Sequence, residues 1–165
     1  MEKTGSGVAI EPNRELGEDL QDNTRPTEFA IPWETYSNTE FKFQLSLPRL
    51  LYKNEFKNQG GYIFFARFEE NKFSQGKGVA LGIKEGKIQA EVEGVKRDFE
   101  EKASLEEEKK VNVAGSDGVY LRFKPKEQGL EERVIVFFEK EAKVYSVSTT
   151  PKQIDKIIES FKFLE

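Results

Sequence analysis

Between Phe41 and Pro48 the chain alternates strictly. Phe41, Phe43, Leu45 and Leu47 fall on one side, Lys42, Gln44 and Ser46 on the other, and Pro48 stops the run. A period of two is the mark of a strand with one buried face, so this stretch commits the chain to a sheet. Residues 61–68 read as a second strand after the Gly60-Gly61 break, and adjacent Ile63, Phe64 and Phe65 predict cover on both of its faces. Residues 78–83 and 87–93 read as two more strands, joined by a tight turn at Lys84-Glu85-Gly86. Residues 109–114 and 118–124 flank Gly115-Ser116-Asp117-Gly118, a hairpin turn signal. Residues 132–139 and 143–149 follow, divided by Lys140-Glu141-Ala142. Strands this short, separated by tight turns, predict antiparallel neighbours.

Two helices complete the pattern. One is expected over about residues 97–108, with Phe99, Ala103 and Leu105 inward and Glu106-Glu107-Glu108-Lys109-Lys110 as its solvated end. The other starts at Thr150 as N-cap with Pro151 in the first helical position. It continues through Ile154, Ile157, Ile158 and Phe161, and Phe161-Lys162-Phe163-Leu164 runs on as a short extended end. The expected class is α+β: a single twisted antiparallel sheet of about six to seven strands with helices packed on its faces.

Composition removes whole classes of chemistry. The 165-residue chain has neither cysteine nor histidine. Disulfides, thiolate nucleophiles, zinc knuckles and Ser-His-Asp arrangements therefore cannot be built from it. Carboxylates, Lys, Ser/Thr and Tyr are what remains, and no cofactor or metal site is expected. Fourteen phenylalanines supply a core, while charged residues at 34% supply a well-hydrated surface. No stretch approaches the roughly 20 apolar residues a membrane-spanning helix requires.

Charge is unevenly placed. Residues 1–28 carry three basic side chains (Lys3, Arg14, Arg25) against seven acidic ones, which accounts for the whole net charge of -4 and leaves residues 29–165 formally neutral. A neutral, mixed domain lacks the basic stripe that phosphate backbones demand, so nucleic acid is not an expected partner. Residues 1–28, with Gly5, Gly7, Pro12, Gly17 and Pro26 and no aromatic, read as a disordered acidic arm before a single domain at 29–165. The arm fits two origins: the tail of a cytoplasmic protein, or a spacer behind a signal or membrane anchor preceding residue 1. Its composition favours the second, and with it an extracytoplasmic, tethered, monomeric protein that meets a membrane only through that anchor.

Candidate sites are few. Asp117 in its glycine-flanked turn could offer oxygen to Ca²⁺, but the series of acidic ligands is missing and αL tolerance explains the turn. Glu91, Glu93 and the acids at 100–108 could furnish a hydrolytic carboxylate pair, yet Glu91 and Glu93 fall on the expected wet face of a strand. Gly76-Lys77-Gly78 lacks the Ser/Thr and spacing of a phosphate loop. Aromatics remain the best candidates for partner binding: Trp33 and Tyr36 near the start of the domain, and Tyr52, Phe56 and Phe73 in a loop-rich stretch at 48–77. Packing against the core is the competing account of each.

The segments Phe41-Lys-Phe-Gln-Leu-Ser-Leu-Pro48, Val144-Tyr-Ser-Val-Ser-Thr-Thr-Pro151 and Ile157-Ile-Glu-Ser-Phe-Lys-Phe163 together resemble the PsbP/Mog1 superfamily, over roughly residues 35–165. The resemblance implies a central antiparallel sheet with helices on both faces. It also implies a non-enzymatic role in binding or assembly, since members serve as accessory subunits of photosystem II or bind a small GTPase, and many bacterial relatives look like exported lipoproteins. Histidines proposed to hold metal in photosynthetic members have no counterpart here. The resulting expectation is a non-enzymatic binding module for a protein or other ligand. A cytoplasmic structural or stress-related protein and a carboxylate-dependent hydrolase are the alternatives.

Overall fold

Every strand pair among the described residues is antiparallel. The computed structural model describes residues 32–49, 52–69 and 78–165, so Phe73, Gly76-Lys77 and the arm at 1–28 lie outside it. Strands β1 (Trp33–Asn38), β2 (Phe43–Pro48) and β10 (Lys162–Phe163) form a small sheet in the order β1-β2-β10. Strands β3 (Tyr52–Gln59), β4 (Tyr62–Glu69), β5 (Val79–Glu85), β6 (Ala103–Val113), β7 (Ser116–Pro125), β8 (Arg133–Lys140) and β9 (Lys143–Thr149) form a seven-stranded sheet. Its order is β3-β4-β5-β9-β8-β7-β6, with α1 (Ile88–Phe99) following β5 and α2 (Pro151–Ser160) following β9. The α+β class, the antiparallel sheet within the expected six to seven strands and the helices on its faces stand as the sequence predicts, while β2 leaves the large sheet for a small second one.

The first layer is the small sheet together with α2. Alternation in β2 drops Phe43, Leu45 and Leu47 onto the large sheet, where they join Phe64, Leu81, Val136 and Phe138. Ile154 and Ile157 of α2 and Phe161 just beyond it fill the same core. The chain end is held by Phe163 opposite Phe43 and by the Leu164 amide donating to the Lys42 carbonyl at 2.8 Å. Phe138 stacks on Tyr145 with centroids 5.5 Å apart and meets Phe161 edge-on at 4.9 Å. Burying each such ring contributes about 1.5–3 kcal/mol, so this face dominates the stability.

The opposite face carries α1, which sets Ile88, Val92, Val95 and Phe99 against Leu121, Phe123, Ile135, Phe137 and Val144. Residues 87–93 are therefore the start of this helix and not a strand. Ile88, Ala90 and Val92 alternate briefly, but Ile88, Val92, Val95 and Phe99 recur at helical spacing over a longer window. The helix expected at 97–108 is also corrected: α1 ends at Phe99 and Ala103–Val113 is strand β6. Glu106 to Lys110 decorate an edge strand, where one side of the backbone and most side chains face water. The stretch at 48–77 is less loop-rich than its composition suggests, because β3 and β4 pair across Gly60-Gly61. The β6–β7 turn is tighter than expected. Ala114-Gly115 turns the chain, Asn112 Oδ1 accepts the Gly115 amide at 3.1 Å, and Asp117 lies in β7 opposite Asn112. Thr150 sits at the N-cap position without a side-chain cap bond, while Thr149 Oγ1 donates to Gln153 Oε1 at 2.8 Å.

Candidate functional site

Alternation along β3 sends its side chains to two different places. Lys53, Glu55 and Lys57 face β1 across a cleft of about 620 Å³, whose floor includes Leu47, Phe64 and Phe68. Tyr36 on β1 sets its ring edge-on against Phe68, 5.0 Å between centroids. Its hydroxyl donates to the Glu55 carboxylate. Burial, and then that hydrogen bond, push the Tyr36 hydroxyl well above the ordinary tyrosine range. Asn38 Nδ2 donates to the same phenolic oxygen at 3.3 Å, and Lys57 Nζ lies 2.7 Å from Glu40 Oε1. Lys53 Nζ lies 5.6 Å from the Tyr36 centroid and 3.9 Å from Glu55 Oε2. The Tyr36–Glu55 hydrogen bond ties β1 to β3, and Lys57 ties β3 to the turn after β1.

Phe56, on the other side of β3, stacks on Phe65 at 6.5 Å. Tyr52 shares that side by alternation. Here the seven-stranded sheet is only half covered, because α1 packs over β6, β7 and β8. Between α1 and the ring pair Tyr62–Phe65 (4.9 Å) runs a trough of about 480 Å³. Its floor is made by what the strands omit. Ala80 stands opposite Ser148 and Gly82 opposite Ser146, each pair between bulky neighbours along the ladder. A Cβ at Gly82 would lie 2.7 Å from Tyr62 Cε1 and 2.8 Å from Ser146 Oγ, so the ring lies directly over the glycine. On the helix side, Gly94 leaves the wall low, the nearest atom to a Cβ there being Arg97 Nη2 at 3.8 Å.

One end of the trough is pinned by Lys84, whose Nζ lies 4.6 Å from the Tyr62 centroid and 3.2 Å from Glu91 Oε1. Arg97 and Asp98 stand at the rim, and neither enters an ion pair among the described residues. The arrangement can hold a flat apolar group between rings and helix, with two floor hydroxyls and one cation to orient it.

The sequence candidates are thus scattered. Tyr36 lines the cleft, Tyr52 and Phe56 lie on the opposite face, and Phe73 is outside the described residues. Trp33 packs against the main core with Lys156 Nζ of α2 4.2 Å from its centroid, as the packing account expects. Glu91 and Glu93 belong to α1, Glu91 being paired with Lys84 and Glu93 accepting from Gln89 at 3.4 Å. Sequence reading missed Ala80, Gly82, Gly94, Ser146 and Ser148. The signal was there in part, since small residues alternate along both 80–82 and 146–148, but only pairing β5 to β9 makes them one floor.

Taken together, the two faces and their helices define a PsbP-like α+β fold. A solution structure of cyanobacterial PsbP (CyanoP) from Synechocystis sp. PCC 6803 superposes with a TM-score of 0.52 at 13% identity, covering 79% of this chain and 92% of that one. A protein of unknown function from Pseudomonas aeruginosa, PA94, aligns at 16% identity over 74% of this chain and 86% of its own, with a TM-score of 0.35 that is too loose to carry an argument. No family model matches the chain, and no curated protein matches it by sequence. The resemblance seen in the sequence therefore holds at the level of the fold. Among the described residues, no helix is long and apolar enough to cross a membrane.

Proposed function

We propose that the chain is a non-catalytic binding module that takes a flat apolar or aromatic group in the trough between α1 and Tyr62–Phe65. The observation that carries this reading is the floor of Ala80, Ser146 and Ser148, which leaves open a sheet face that larger residues at the same positions would fill, while Gly82 seats the Tyr62 ring at its side. The likeness to cyanobacterial PsbP supports the fold on which such a module would be built, and fold alone does not assign a ligand. Work outside the cytoplasm, on a tether formed by residues 1–28, completes the proposal. It rests on the acidic, Gly/Pro-containing composition of that segment, and an apolar anchor encoded upstream of Met1 is its test.

The binding test is titration of the ¹⁵N-labelled chain with a panel of small aromatic and aliphatic fragments. Amide shifts centred on Ala80, Gly94, Ser146 and Ser148 are expected, and Gly94→Leu, which points a side chain into the trough, should abolish them. Shifts that cluster elsewhere, or that survive Gly94→Leu, overturn the reading.

A further inference from the structure

Among the described residues, β3 pairs on one side only, with β4, so its other edge presents free backbone groups. An edge of this kind is a template for one more strand. The residues along it decide which strand. From Tyr52 to Lys57 the register with β4 is regular, and Asn58, at a φ of 54°, ends the regular stretch.

We propose that a second copy of this chain pairs with β3 in antiparallel fashion about a two-fold axis at Asn54, joining the two large sheets. A two-fold axis perpendicular to a continuous sheet sets some residue opposite itself, and opposed residues share a face. Centring on Lys53, Glu55 or Lys57 would bring like charges together on the axis. Centring on Phe56 runs into the left-handed Asn58. Centring on Asn54 places Asn54 against the partner's Asn54, Lys53 against the partner's Glu55, and Tyr52 against the partner's Phe56. Symmetry makes the charge pair and the aromatic pair twice each. Lys53 and Glu55 lie on the cleft face, the aromatics on the trough face, so each pair meets on the side its alternation already dictates. Phe56, one of the large apolar side chains left exposed at 38%, gains a ring partner.

The other free edge lacks this complementarity. β6 is bulged between Leu105 and Glu107, and any two-fold register centred within Glu106–Lys110 opposes a charged residue to itself.

A ladder this short buries less than a standard interface, so the association is weak and needs high protein concentration. The test is sedimentation equilibrium of the full chain from about 10 µM to about 1 mM. A monomer–dimer equilibrium is expected. Lys53→Glu or Glu55→Lys alone should weaken it about tenfold, and Lys53→Glu/Glu55→Lys together should restore it, because the opposed charges are exchanged on both sides of the axis. Asn54→Lys sets like charges on the axis and breaks the dimer without touching the Glu55–Tyr36 hydrogen bond, which keeps the test open if Glu55 variants fold poorly. A chain monomeric throughout the range, or a dimer indifferent to these changes, overturns the proposal and leaves the edge to a strand from another protein or to none.

Discussion

On one face of the seven-stranded sheet, β2 and α2 lay Phe43, Leu45, Leu47, Ile154, Ile157 and Phe161 over it. On the other, α1 covers one half, and the remainder is floored by Ala80, Ser146 and Ser148, with the Tyr62 ring seated over Gly82. The same strands supply both faces, and alternation alone separates them. In β5, Val79, Leu81 and Ile83 point one way while Ala80, Gly82 and Lys84 point the other. The larger buried cluster thus lies on the closed face. Side-chain size at every second residue, with the backbone unchanged, is enough to make one side a core and the other a trough.

Deleting a ring on each face should expose this division most plainly. Phe138→Ala removes a fully buried side chain and is expected to cost about 3–5 kcal/mol in urea unfolding, whereas Phe99→Ala under α1 should cost about 1–2 kcal/mol. Equal losses would mean that α1 closes its face as firmly as β2 and α2 close theirs.

Glycines offer a finer probe. A Cβ at Gly118 would meet the Phe137 carbonyl oxygen at 2.4 Å, and that backbone cannot yield without disturbing β8. Gly118→Ala should therefore destabilise by about 1–3 kcal/mol. Gly82→Ala meets only the Tyr62 ring and the Ser146 hydroxyl, side chains bordering open space, and should cost less than about 1 kcal/mol.

Alkaline pH should act on the closed face. Burial raises Tyr36, Tyr120 and Tyr145, all packed against the main core, above the ordinary tyrosine value of 10.0. The folded chain holds these protons more tightly than the unfolded one, so their contribution to stability is complete below that value and is lost as the pH rises above it. Unfolding free energy should fall with pH in that window, and Tyr36→Phe should make the fall shallower.

The smallest effect belongs to the trough wall. Gly94→Ala enters open space within a helix and should stabilise by about 0.5–1 kcal/mol in thermal unfolding. A loss instead would show that the helix needs Gly94 for packing.

How far these features were legible follows the same division. Phe43, Leu45 and Leu47 announced β2 because one face is buried and the other wet. The helix α1 was hidden by three alternating residues, Ile88, Ala90 and Val92, and by Gly94, which interrupts the helical stripe. The first part of β6, residues 103–108, was read as helix because Glu and Lys are good helix formers, while 109–114 was read as strand. Its hydrogen bonds to β7 decide otherwise, and no local pattern reports a partner ten or more residues away. β3 escaped notice because an exposed edge needs few apolar residues. The trough was least legible of all, since a cavity is made of side chains that are missing, and their absence gains meaning only when β5 lies beside β9.

The return of the chain end to β2 sets a constraint in time. Phe163 sits opposite Phe43, and Phe161 stacks on Phe43 while meeting Tyr145 edge-on, so the ring cluster joins both ends of the described chain. Joining segments this far apart in sequence carries a large loop-closure entropy and belongs with slow folding. Until Phe161 and Phe163 are in place, an aromatic surface that later becomes the core stays open to chaperones and to other copies of itself.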